Sequence, residues 1–94
     1  LDAIEDIAAV EGVDALFIGP ADLGADLGLS PEDTVPVVAE AIARITATGK
    51  PAATIAVDDH QIQAYVDAGA RMIAVGIDVL VLSRALDALA TRWR

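Results

Sequence analysis

Three short segments carry the side chains best suited to chemistry: Gly19-Pro20-Ala21-Asp22-Leu23, Asp58-Asp59-His60 and Gly76-Ile77-Asp78. Each follows a brief apolar run, and each contains an aspartate. A carboxylate is a hard oxygen donor suited to Mg²⁺ or Mn²⁺. In the first segment Gly19 and Pro20 turn the chain sharply, so Asp22 is directed into whatever lies beyond the run. Pro20 has no N–H, but Ala21 and Asp22 keep theirs and can hold an anion. Spacing alone leaves a second reading open for Asp22, a turn carboxylate that caps neighbouring amides. His60 has the side chain of a general base, but its position in the first turn after a cap reads as solvated. Asp58 or Asp59 reads as that cap, and Asp78 as the N-cap of a final helix.

These segments need elements to position them. Asp2 to Val10 reads as the end of a helix with Ile4, Ile7 and Ala8 on one face, stopped by Gly12. Ala15 to Ile18 reads as a buried strand, and Gly19 to Ser30, with three glycines, as a loop. Ser30-Pro31-Glu32-Asp33 has the form of a helix start, yet Pro36 would remove a hydrogen bond there, so the main helix begins at one proline or the other. Val38, Ile42 and Ile45 form its buried stripe, and Gly49 ends it. A strand over Ala52 to Val57 follows, then a helix with Ile62, Tyr65 and Val66 facing inward, stopped by Gly69. Met72 to Val75 is a third strand, and the last helix carries Val79, Leu82, Leu86, Leu89 and Trp93 at spacings of three and four.

Strict alternation of short apolar strands with helices predicts an α/β fold with parallel strands and right-handed crossovers. In such folds ligands bind at the carboxyl ends of the strands, where all three aspartate segments fall. Eight strand–helix units over ~250 residues allot about 31 residues to each in a (β/α)8 barrel. Three strands and four helices therefore fit the C-terminal portion of a TIM barrel; a flavodoxin-like sheet is the rival. Either way, residues 1–94 read as part of one domain that continues upstream of Leu1.

Bulk composition agrees. The chain is 55% hydrophobic but only 3% aromatic, so its core is built from Ala, Val, Ile and Leu, a palette that suits helices laid on a parallel sheet. A net charge of −9 with six scattered Lys and Arg argues against a nucleic-acid partner. No cysteine is present, which excludes disulfides, thiolate catalysis and Cys-based zinc sites. The longest apolar run, Val79 to Leu82, is far short of the ~20 residues of a membrane span, so no membrane partner is expected and a cytoplasmic location is.

The run Val13-Asp14-Ala15-Leu16-Phe17-Ile18-Gly19-Pro20-Ala21-Asp22-Leu23-Gly24 resembles the most characteristic segment of the HpcH/HpaI aldolase/citrate lyase family, in its pyruvate-type branch. The resemblance continues through Ala47-Thr48-Gly49-Lys50-Pro51, then from Ala68 to Asp78 and into Leu82-Ser83-Arg84-Ala85. It implies a metal-dependent (class II) aldolase, a carbon–carbon lyase that splits a 4-hydroxy-2-oxo acid reversibly into pyruvate, or a related 2-oxo acid, and an aldehyde. It makes Asp22 a ligand of Mg²⁺ or Mn²⁺, with Co²⁺ as a further possibility. It assigns the amides of Ala21 and Asp22 to the carboxylate of the 2-oxo acid, and Ile55 to the pocket for the aldehyde. The second metal ligand and the acid–base residues are then expected upstream of Leu1, so the 94 residues alone are expected to be nearly inactive. Lys50, between a helix and the start of a strand, lies at the wrong end of a barrel for a Schiff-base lysine. A homo-oligomer is expected too, with the Leu82, Leu86, Leu89 and Trp93 face meeting another subunit. Two alternatives stand beside this reading: a citrate lyase β-subunit or malyl-CoA lyase type of enzyme, and a non-catalytic barrel remnant.

Overall fold

In the computed structural model, which describes all residues from Leu1 to Arg94, the strand–helix alternation holds with one helix more than the sequence reading allows. The order is α1 (Ile4–Ala8), β1 (Leu16–Ile18), α2 (Pro20–Leu27), α3 (Pro31–Ala47), β2 (Ala52–Ile55), α4 (Asp59–Ala68), β3 (Met72–Ala74) and α5 (Asp78–Arg92). The three strands form one parallel sheet in the order β1-β2-β3. Leu16 pairs with Ala52 and Ile18 with Thr54, while Thr54 pairs with Ile73 across the other ladder.

Successive strand residues point to opposite faces, and the two faces meet different surroundings. Leu16, Ala52 and Ala56 belong to the buried core, with Ile18 and Ile73 packed against it. On this side lies α3, whose Val38, Ile42 and Ile45 are fully buried as their spacing predicts. The opposite face carries Phe17, 54% exposed, and Met72, 60% exposed, with the small Ala53 between them. No element of the chain covers it. The outer edge of β1 is also open, and a groove of about 430 Å³ runs beside it, walled by Ile4, Ile7, Val13 and Phe17 among other apolar residues. A sheet with a bare inner face and free edges is the geometry of an incomplete barrel wall.

The segment expected to be a loop contains α2, and its chemistry explains why. Gly19 occupies the N-cap, Pro20 the first helical position and Asp22 the first turn, all favourable at a helix start. Gly28, at φ 68°, closes the helix in the left-handed region that glycine enters without steric cost. Gly24, which counted toward a loop in the sequence, is a packing residue instead. A Cβ there would stand 2.6 Å from Thr34 Oγ1, so the missing side chain is what lets α2 lie against α3. Thr34 cannot easily retreat, because its hydroxyl donates to the Ser30 carbonyl at 2.7 Å.

α3 starts at Pro31, not Pro36. Ser30 accepts from the Asp33 amide at 3.0 Å, an N-cap strong enough to fix the start. Pro36 lies on the exposed side of the helix and removes the bond its N–H would otherwise make. Other corrections concern which side chains turn inward. Ile7 is 48% and Val66 51% exposed, so α1 buries only Ile4 and Ala8, and α4 buries Tyr65. The face of α1 is held instead by a forked ion pair: Arg44 Nε and Nη2 donate to the two carboxylate oxygens of Glu5 at 3.1 and 2.8 Å. α5 buries nothing at all, and Val79, Leu82, Leu86, Leu89 and Trp93 are all exposed. The projecting helix accounts for a radius of gyration of 15.5 Å, where a compact chain of this length would have about 12 Å.

The α2–α3 contact yields a prediction. Gly24→Ala gains roughly 1 kcal/mol of helix propensity but meets Thr34, an overpacking cost of about 1–3 kcal/mol. Urea unfolding followed by circular dichroism should show a net loss on the order of 1 kcal/mol. The loss should shrink when Thr34→Ala removes the opposing atoms; equal losses in both backgrounds would contradict the contact.

Candidate functional site

The carboxyl ends of β1 and β2 lie at one rim, and the Gly19–Leu23 turn stands on it. Strand β1 ends at Ile18, and a single residue, Gly19, separates it from α2. The strand end is tied by a residue that sequence reasoning missed. Thr54 is fully buried, and its Oγ1 donates to the Ile18 carbonyl at 2.9 Å. A hydroxyl in an otherwise apolar strand, Ala53-Thr54-Ile55, was the available signal, since a buried hydroxyl must find a partner.

Ala21 and Asp22 occupy the second and third positions of α2. Amides in a helix's first turn have no partner within the helix, and the macrodipole makes them electropositive. The first such amide engaged is that of Leu23, which donates to the Gly19 carbonyl at 3.0 Å. The amides of Ala21 and Asp22 are thus available to an anion. The Asp22 carboxylate is exposed and lies beside the turn, with Oδ2 3.8 Å from where a Cβ on Gly19 would stand.

Next to the turn is a cavity of about 300 Å³. Ala21 and Gly24 from α2, Ile55 and Val57 from the end of β2, Tyr65 from α4 and Leu80 from α5 contribute to its wall. The structure thus brings Ala21 and Ile55, far apart in the chain, onto one space. Asp22 does not line it; its carboxylate stands outside, one residue from Ala21. As for a metal, Asp22 offers one hard oxygen donor, and no group of three or more His, Cys, Asp or Glu residues converges anywhere in the chain. These 94 residues can supply a ligand but not a complete coordination sphere.

The other candidates resolve into structural roles. Asp58 caps α4, accepting from the Gln61 amide at 2.8 Å, and Gln61 Oε1 in turn accepts from the Val57 amide at 2.9 Å. Asp59 and His60 are exposed in the first turn of that helix. Asp78 is not the N-cap of α5: Ile77 is, and Asp78 is the first helical residue, accepting from the Val79 amide at 2.8 Å. Lys50 donates to the Val13 carbonyl at 2.7 Å, at the amino ends of the strands, opposite the rim. Arg84 donates to the Val57 carbonyl at 2.8 Å and ties α5 to the end of β2.

A parallel sheet flanked by helices, with a glycine–proline turn and an acid at its carboxyl rim, defines a segment of an α/β barrel of the kind that binds small anions at that end. The profile of the HpcH/HpaI aldolase/citrate lyase family matches residues 1–85. The chain belongs to that family. It is 48% identical over 98 aligned residues to a 4-hydroxy-2-oxovalerate aldolase of Novosphingobium aromaticivorans, covering 100% of the chain and 37% of the relative. It is 43% identical, again over 98 residues, to a hydroxypyruvate/pyruvate aldolase of Roseovarius nubinhibens, covering 100% of the chain and 38% of the relative. Among solved structures, an HpcH/HpaI aldolase/citrate lyase family protein from Burkholderia cenocepacia superposes with a TM-score of 0.83 at 38% identity, over 97% of this chain and 37% of that one. The chain therefore spans little more than a third of the length of these relatives.

Tyr65 gives this rim a spectroscopic handle. Burial raises the pKa of its phenol, and the nearby charge of Asp58 raises it further. An acid whose pKa is higher folded than unfolded stabilises the fold below its unfolded pKa, and that contribution is lost as pH rises through the folded value. Asp58→Asn keeps a capping side chain but removes the charge. It should move the phenolate transition at 295 nm to lower pH while leaving it above that of free tyrosine. A transition that does not move would show that burial alone sets it.

Proposed function

We propose that residues 1–94 form the C-terminal part of a (β/α)8-barrel domain whose complete form is a divalent-metal-dependent aldolase. The reaction is the reversible cleavage of a 4-hydroxy-2-oxo acid into pyruvate, or a related 2-oxo acid, and an aldehyde. The observation that carries this reading is the joint position of Ala21, Asp22 and Ile55 at one rim. Two free amides stand at the positive end of a helix, a carboxylate projects beside them, and an apolar wall faces them across a shared cavity. Names of the relatives supply the reaction class, since those matching over the whole chain are aldolases acting on oxo acids.

In this reading the amides of Ala21 and Asp22 bind and orient the carboxylate of the 2-oxo acid. The Asp22 side chain contributes one ligand to Mg²⁺ or Mn²⁺, the remainder coming from residues preceding this segment. When bound, such an ion supplies Lewis acidity toward the 2-oxo group. Ile55 excludes water from the aldehyde half. The bare sheet face around Phe17 and Met72 is the side on which the rest of the barrel would close. The exposed α5 stripe fits contact with a second subunit of a homo-oligomer, and the setting we assign is cytoplasmic.

Fusing this chain behind the upstream portion of the Roseovarius nubinhibens relative provides the test. The chimaera should release pyruvate from 4-hydroxy-2-oxo acids, in a reaction abolished by EDTA and restored by Mg²⁺ or Mn²⁺. Partners of metal ligands are themselves worth 10–100-fold, so Asp22→Ala should lower turnover by more than about 100-fold and weaken Mn²⁺ binding. An active chimaera in which Asp22→Ala changes neither quantity would refute the assignment.

A further inference from the structure

The cavity beside the Gly19–Leu23 turn has a wall of uneven chemistry that bears on what it holds. None of its lining residues is Asp, Glu, Lys, Arg or His. Its polar groups are confined to Thr34, Gln61 and Tyr65. Two of these are already engaged: Thr34 donates to the Ser30 carbonyl, and Gln61 accepts from the Val57 amide. Tyr65 is different. It is only 1% exposed, the largest fully buried side chain of the protein, yet its hydroxyl takes part in none of the side-chain hydrogen bonds. It is not sealed inside the core either, because no fully buried side-chain polar atom lacks a partner. The hydroxyl therefore opens onto the cavity its ring helps to form.

From this wall we infer that the cavity binds a compact, uncharged, mainly apolar group, anchored by one hydrogen bond to the Tyr65 hydroxyl. An unpaired phenol in an apolar wall favours a ligand that carries one complementary polar atom. A carboxylate would enter without a countercharge, at a desolvation cost nothing in the wall offsets, and Asp58 lies close enough to Tyr65 to perturb its phenol. A volume of about 300 Å³ suits a chain of a few carbons. Because Ala21 lines the same space, the inference rests on the aldolase reading for its substrate: the aldehyde partner is a short neutral aldehyde, not a semialdehyde bearing a second carboxylate. Tyr65 is then a specificity-determining residue set behind Ile55.

The chain has a single tyrosine, so 3-fluorotyrosine labelling gives one ¹⁹F resonance at the wall. Butyramide and butyrate, alike in size but not in charge, serve as probes. Butyramide should shift the resonance saturably, and butyrate at equal concentration should leave it in place. Tyr65→Phe, followed through the Ile55 methyl signals, should weaken butyramide binding by roughly five- to tenfold, the worth of one hydrogen bond. Equal response to both probes, no response to either, or unchanged affinity in a folded Tyr65→Phe protein would overturn the proposal. Should that variant not fold, the contrast between probes in the unaltered protein decides. In the chimaera, butanal should be preferred over succinic semialdehyde in the synthetic direction by at least tenfold; the reverse preference would also overturn it. An inactive chimaera together with a butyramide-specific shift would leave the cavity assignment standing and remove the aldolase reading.

Discussion

Helix α3 lies at the centre of the packing, and the rest of the structure is arranged by what can reach its buried stripe. Val38, Ala41, Ile42 and Ile45 are almost wholly removed from water. Against them pack α1, α2 and α4 together with β1 and β2. With 3% aromatic residues, the core depends on close approach of small and branched side chains rather than on a few large ones. Ala52, Ala53 and Ala56 let the sheet come near the helix, and Gly24 does the same for α2. This closeness holds α2 where its first turn meets the strand ends. A rim built on packed elements is positioned more closely than one built on a free loop.

The site inherits its geometry from that packing. Tight connection of β1 to α2 through Gly19 leaves the Ala21 and Asp22 amides at the rim, and the Thr54 hydroxyl fixes the carbonyl from which the turn departs. Polar groups near the cavity are engaged with backbone wherever they have a structural task, as Thr34, Asp58 and Gln61 show. What remains unengaged is a short inventory: two amides, one carboxylate and one phenol. Their separation divides the rim into an anion-binding side and an apolar side, the division a substrate with one charged and one uncharged end requires.

Much of this was legible in the sequence, and the misses have physical causes. The strands, the α3 stripe, the Asp58 cap and the Gly19–Asp22 turn follow from periodicity and capping chemistry, which act over a few residues. Family membership followed from the Gly-Pro-Ala-Asp run. Helix α2 was missed because three glycines outweighed a proline at the first helical position and an acid behind it; Gly24 serves a contact with Thr34, ten positions away, that no local pattern reveals. Val66 and Ile7 lie on apolar stripes yet face outward, because this chain offers them nothing to pack against. The coupling of Ala21, Ile55 and Tyr65 across one cavity was beyond local reading, since it depends on strand register and on the angle at which α4 returns.

The exposure of α5 has a thermodynamic consequence. A fifteen-residue helix is only marginally stable alone in water, and this one draws no burial from the core to offset its conformational entropy. Apart from the Arg84 link to the end of β2, its persistence is decoupled from the unit organised around α3. The chain is thus a cooperative centre with a semi-independent arm. Amide protons along that arm would exchange from local openings, while those of β2 and α3 would await global unfolding.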